Sequence, residues 1–301
     1  MLTIFAIPKP FVGHLGIIQR NAITSWKCLE PPPEIMLLGN EDGVGEIARE
    51  LDLGWIPEIA CTPFGTPLLG DGFRKVRALA KFPLLVYVNC DIMFTQSLID
   101  AIRGVDHAKF LAVGRRTNID LDTSVAPAEM RDRGFGLRLA AAGKLETPFA
   151  IDYFIFPACA ELCEIPGFAV GRPGWDNWMI YNALAHRLPV IDATARITAL
   201  HQNHHYQHVP MQRGMTWEGP EADHNRVLAG SRERLKFSLL DATHRFSAAG
   251  MLVATPGTLA RGLRLLMARH PLLKWPLKIL GLPFLLSERR QRRRAKIAGY
   301  R

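Results

Sequence analysis

Several things this chain of 301 residues lacks narrow what it can be. Its five cysteines are odd in number and have no paired spacing, which excludes a disulfide framework. Cys159 and Cys163 are too isolated to form a zinc site by themselves, and a reducing compartment is expected. No apolar run approaches the roughly 18 residues of a membrane-spanning helix. The opening MLTIFAIPKP has neither the basic start nor the small-residue cleavage site of a secretory signal, so a cytoplasmic location is expected. The segment FVGHLG is no GxGxxG fingerprint, and no Walker A sequence occurs.

Positive charge is plentiful but confined. Of the net +9, residues 251–301 carry 12 Lys and Arg against one Glu, while the other 250 residues hold 25 basic and 27 acidic side chains. A nucleic-acid enzyme needs its basicity around the cleft, so the distribution argues against a nucleic-acid partner.

What is present is an alternation of short apolar runs and longer helical patterns. LTIFAIP and EIMLLGN read as strands; between them Ile18, Ala22, Trp26 and Leu29 recur at helical spacing. GVGEIARELDL and GFRKVRALAKF follow as helices, and LLVYVNCDI as the next strand. This order predicts an α/β fold with a doubly wound sheet. Residues 117–146 read as a polar loop with one helix, FAIDYFIFP as a strand, GWDNWMIYNALAHRL as a helix, and PVIDATARITALHQNHHYQH as a strand or two ending in histidines. A boundary near Ala248 divides a main domain, 1–248, from a Leu-, Pro- and Arg-rich extension, 249–301.

Four segments carry candidate chemistry. Asp91 interrupts the apolar strand LLVYVNCDIMF at its carboxyl end, where ligands bind in open α/β sheets. A carboxylate there suits Mg²⁺ or Mn²⁺, and it equally suits a turn or helix cap. In HQNHHYQH, His201, His204, His205 and His208 offer imidazoles that would complete a metal set, line one side of a helix, or lie in a polar surface loop. Asp176 stands between Trp175 and Trp178 near a helix start, either as a general base with a raised pKa or as a capping group beside core tryptophans. Asp152 breaks an apolar strand much as Asp91 does, and must be functional or tied to an arginine or backbone amide.

Taken together, IFAIPKPF, IQRNAITSW, VNCDI, AIDYFIFP, GWDNWM and HQNH resemble a family of bacterial and plant glycosyltransferase-like proteins of the GT-A fold, over about Leu2 to His244. The resemblance implies a GT-A-like mixed sheet flanked by helices, a nucleoside diphosphate sugar as donor, and a glycan or lipid-linked acceptor. It implies metal ligation by Asp91 and His201, and catalysis by Asp176 with Asp152 as second choice. Pro8, Lys9, Asn89, Arg115 and Arg116 are the implied donor contacts. The chain departs from the family in having Asn89-Cys90-Asp91 where the metal motif carries two aspartates, leaving Asp91 as its one anionic ligand.

The basic extension, with Trp275 among leucines and the run from Arg289 to Lys296, is expected to be helical and to settle on an anionic membrane at its inner face. A solvated end or helices packed on the body remain open. Two rival activities also stay open: a metal-dependent phosphoesterase or nucleotidyltransferase using the same residues, and an inactive nucleotide-sugar-binding module.

Overall fold

The computed structural model describes residues 1–204, 218–247 and 249–298. In chain order the first half comprises β1 (Thr3–Ala6), α1 (Gly13–Lys27), β2 (Glu34–Leu38), α2 (Val44–Glu50), β3 (Gly54–Ile56), α3 (Leu69–Leu79), β4 (Leu84–Val88), β5 (Ile92–Phe94), α4 (Ser97–Ile102), β6 (Leu111–Val113), β7 (Thr117–Ile119), α5 (Pro127–Arg131), α6 (Arg133–Ala142) and β8 (Lys144–Leu145). The second half adds β9 (Tyr153–Pro157), α7 (Ala160–Cys163), α8 (Trp175–Ala185), β10 (Val190–Asp192), β11 (Ala199–Gln202), α9 (Pro220–Ala229), β12 (His244–Phe246), β13 (Leu252–Ala254), α10 (Leu259–Arg269), α11 (Lys274–Leu280) and α12 (Leu282–Ala298).

Nine strands form one sheet in the order β13-β12-β10-β6-β9-β4-β1-β2-β3. Its pairings are parallel except where β9 lies between β4 and β6 and where β13 lies on β12. The unbroken apolar strands follow from burial on both faces. Ile4, Val86, Val88, Tyr153 and Ile155 point into one core with α1, α2 and α4, whereas Phe5, Leu85, Tyr87, Phe154 and Phe156 point into the other with α3, α7 and α8. Period-two alternation is therefore hidden in composition, because both sets are apolar. The doubly wound mixed α/β sheet expected from the element order is the observed architecture.

A second sheet, β5-β11-β7-β8, stands beside the carboxyl edge of the first. It accounts for the apolar residues after Asp91: the chain turns at Asn89–Asp91 and re-enters a strand that pairs antiparallel with β11. Residues 117–146, expected as a loop with one helix, form two short strands and two helices. The strands are only three and two residues long; β7 takes its burial from β11 and α6, and both residues of β8 are exposed, so neither carries a pattern of its own.

Gly114, just past β6, shows how closely the sheet edge is drawn together. A β-carbon there would lie 2.0 Å from the hydroxyl of buried Tyr153, so a side chain at this position would have to displace the tyrosine ring.

The extension is helical and packed against the body. Ala260, Arg264, Met267 and Ala268 of α10 are buried. Asp241, with no exposed surface, receives Arg264 on one carboxylate oxygen and Arg292 of α12 on the other at 2.6 Å. Glu288 joins the same two arginines. Among the described residues, no helix is long and apolar enough to cross a membrane.

Candidate functional site

Because β9 runs antiparallel to β4 and β6, the residue that precedes it arrives at the same edge as the residues that follow them. Val88 pairs with Tyr153 and Val113 with Phe154, so Asn89, Asp91, Asp152 and Arg116 come together from three segments. Asn89 donates its amide N–H to Asp152 Oδ1 at 2.8 Å, and its backbone N–H reaches the Asp152 carbonyl at 3.0 Å. Arg116 forms an ion pair with Asp152 Oδ2 at 2.8 Å.

The histidines enter from the second sheet. His201 lies on strand β11, opposite Ile92 of β5, rather than on the helix considered from the spacing. Its Nε2 is 3.7 Å from Asp91 Oδ2, and His204 Nε2 is 3.2 Å from the same oxygen. Three groups suited to a cation thus converge: one carboxylate and two imidazoles, with donor atoms within 4.8 Å of one another. His205 and His208 lie outside the described residues.

Two observations test whether a divalent ion fits. Asp91 Oδ1 is buried and has no hydrogen-bond partner among the described residues, an expensive state for a carboxylate oxygen. Burial, with the charge of Arg116 adding to it, pushes the His201 imidazolium down to about 4 against the pull of Asp91, leaving the ring neutral at pH 7. Neutral imidazole is the ligating form. One oxygen and two nitrogens suit Mn²⁺ better than the harder, oxygen-seeking Mg²⁺, so the residues present fit a borderline divalent ion.

The carboxylates around this point repel each other. Burial is the main cause that pushes Asp152 up to about 6, helped by the charges of Asp91 and Asp176 and opposed by Arg116. The folded chain therefore holds this proton more tightly than the unfolded chain, where the carboxyl titrates near 3.8. Ionisation of Asp152 costs stability as pH rises between those values. In metal-free protein, the stability of Asp152→Asn relative to the parent should rise from pH 4 to 6 and then level off, as read from urea midpoints at each pH; a constant difference would refute the raised pKa.

Asp176 occupies the first turn of α8 rather than its cap. The cap is Gly174, whose φ of 102° is a left-handed conformation that favours glycine and starts the helix two residues before the carboxylate. Burial raises the Asp176 pKa, and backbone N–H groups of this first turn hold it back. It makes no ion pair among the described residues. Trp175 and Trp178 are core, each 7% exposed.

Asn89, Asp152 and Asp176 line one side of a pocket of about 960 Å³. Lys9 acts on Asp91 from the loop after β1. That loop, which includes buried Pro8, is pinned by Gln19, which accepts from the Lys9 backbone N–H at 2.7 Å and donates to its carbonyl at 2.9 Å. Arg115 points elsewhere: its guanidinium donates to the carbonyls of Leu145 and Glu146.

Some residues that shape the site were not singled out from sequence. Asn21 of α1 donates to Gln202 Oε1 at 2.9 Å, and Gln202 donates to the Ile18 carbonyl at 2.8 Å. Trp26 Nε1 donates to the Ile92 carbonyl, fixing β5. The polar residues of IQRNAITSW therefore hold the two strands that carry Asp91 and His201. Their signal was Gln19 and Asn21 beside the apolar stripe of a buried helix.

No family model and no curated protein matches the chain. Among solved structures it is similar to GalNAc-T7 with UDP, GalNAc and Mn²⁺, at 12% identity and TM-score 0.46, over 75% of this chain and 47% of that one. It is similar to the mannosyltransferase PcManGT from Pyrobaculum calidifontis in complex with GDP-Man and Mn²⁺, at 13% identity and TM-score 0.41, over 99% of this chain and 84% of that one. Residues 1–349 of S. aureus TarS align at 12% identity and TM-score 0.39, over 67% of this chain and 57% of that one. The chain thus spans little more than half of that TarS fragment. At such identities no residue correspondence is drawn, and the site stands on its own geometry.

Proposed function

We propose that the protein transfers a sugar from a nucleoside diphosphate sugar to an acceptor hydroxyl, assisted by a divalent metal, Mn²⁺ in preference to Mg²⁺. The observation that carries this reading is the meeting of Asp91, His201 and His204 at the sheet's carboxyl edge, beside a pocket whose lining includes Asp152 and Asp176. The motif resemblance in the sequence points the same way.

Asp91, His201 and His204 would hold the metal, which when bound neutralises charge on the departing diphosphate. Pro8, Lys9 and Asn89 border the donor, with Lys9 supplying a positive charge. Arg116 and Asn89 fix Asp152, which orients these groups. Asp176 is the general base of an inverting displacement: it takes the acceptor hydroxyl proton as oxygen bonds to the anomeric carbon and the diphosphate leaves with the electron pair of the broken bond. The transfer chemistry belongs to residues 1–248. Residues 249–301 support peripheral contact with an anionic membrane at its cytoplasmic face, because Trp275, Ile279 and Leu280 are 67–77% exposed among cations.

The test is thermal unfolding with UDP, GDP, CDP and dTDP sugars, each with and without Mn²⁺. One donor should stabilise the parent only with metal, by about 2.7 kcal/mol at a hundredfold excess over Kd. Asp91→Ala should lose that gain. A donor that stabilises Asp91→Ala as well as the parent would refute the metal site, and release of phosphate or nucleotide without any acceptor would make the protein a hydrolase.

A further inference from the structure

The pocket beside Asp152 and Asp176 has a second wall that the transfer chemistry does not explain. It is built by α10, α11 and α12, which contribute Met267, Lys278, Leu282, Leu285, Leu286 and Arg289. Leu282 and Leu286 are 48% and 43% exposed, although leucines on a wall meant only to close the fold would be covered. The whole lining holds eight Lys and Arg against five carboxylates.

The partners of these cations divide them into two groups. Arg264 and Arg292 are committed to Asp241 and Glu288, Lys236 and Lys274 to Glu233, Arg172 to Glu221 and Arg226 to Asp223. Arg289 and Lys278 make no ion pair among the described residues; Lys278 lies over the Trp275 ring, 5.0 Å from its centre. Arg289 projects from α12, which also carries the exposed leucines, and Lys278 from the preceding α11. The pocket thus brings Asp152 and Asp176 together with hydrocarbon surface and two cations that make no ion pair among the described residues.

We propose that this pocket binds an anionic amphiphile as acceptor, one whose phosphate or diphosphate is carried on a long hydrocarbon chain. The chain lies along Leu282, Leu285 and Leu286, the phosphate meets Lys278 and Arg289, and a hydroxyl of a sugar linked to that phosphate is the acceptor directed toward Asp176. Cations beside apolar surface distinguish such a molecule from a free sugar, which needs no hydrocarbon wall, and from a neutral lipid, which needs no charge. The word acceptor rests on the glycosyl-transfer reading, whereas the binding does not.

The experiment is calorimetric titration of the full chain with dodecyl phosphate below its micellar concentration, alongside inorganic phosphate and a neutral dodecyl glycoside. Dodecyl phosphate should bind at least tenfold more tightly than either comparison. The double variant Leu286→Glu/Arg289→Glu changes two exposed positions, so circular dichroism should match the parent while binding weakens at least tenfold. Asp91→Ala should bind dodecyl phosphate like the parent. Equal binding of inorganic phosphate would reduce the site to an anion site and overturn the proposal, as would equal binding of the neutral glycoside. Unchanged affinity in the double variant would place any binding elsewhere. If no nucleotide sugar binds while dodecyl phosphate does, the transfer reading falls and the amphiphile site stands.

Discussion

Asp241→Ala should cost about 3–5 kcal/mol of folding stability, the usual loss when one partner of a buried ion pair is removed. The carboxylate has no exposed surface and takes Arg264 and Arg292 on separate oxygens, with the Ser238 backbone N–H donating to the second at 3.0 Å. Arg264 is itself buried, its side chain only 7% exposed, so deletion leaves it a single carboxylate, Glu288, for its charge. The loss should appear as a lower urea midpoint. Asp241→Asn, which keeps the size and one acceptor oxygen but loses the charge and turns the second acceptor into a donor, should also be destabilising. A loss below about 1 kcal/mol, the range of an exposed pair, would mean that the C-terminal helices are not clamped this way. Since those helices form the second pocket wall, Asp241→Ala should also weaken dodecyl phosphate binding.

Asp176→Asn should slow sugar transfer by about 10²–10⁴-fold, the range lost with a general base, while leaving donor binding within a few-fold of the parent. The carboxylate faces the pocket with no cation paired to it among the described residues, and burial raises its pKa, making it a better proton acceptor than an exposed aspartate. The base must be ionised, so the parent rate should rise with pH through the Asp176 pKa and then level off. A variant rate within threefold of the parent would assign the proton transfer to Asp152 or to water. Asparagine is the informative replacement because it preserves the hydrogen-bond acceptor facing the first turn of α8.

Element types were readable where composition is strong. The run Leu84–Val88 announced a strand covered on both sides, and the position of Asp91 at its end followed from the residues alone. Asp152 was readable as a charge that needed a partner, but not the identity of both partners, because Asn89 and Arg116 lie 63 and 36 positions away and meet it only through sheet pairing. The second sheet was the least visible, since strands of two to four residues carry no period and take their burial from elsewhere. His204 shows the same limit: four histidines in eight residues were conspicuous, yet only the path of β11 brings His201 and His204 to Asp91. The tail's basicity was plain from counting, whereas its clamp depends on Asp241, which precedes the boundary near Ala248 and belongs to the main domain.

The placement of β9 has a kinetic consequence. Its partners Leu84–Val88 and Leu111–Val113 both precede it by tens of residues, so the central ladder closes only after long loops have been drawn in. Such non-local pairings form slowly. Asp152 cannot reach Asn89 and Arg116 until that ladder exists, and Gln202 cannot lock β11 beside β5 until α1 is in place. The polar cluster is therefore completed only as β9 inserts between β4 and β6. Mutations that delay insertion of β9 would leave a collapsed molecule with intact helices and no site, a defect visible in refolding rate before it is visible in final stability.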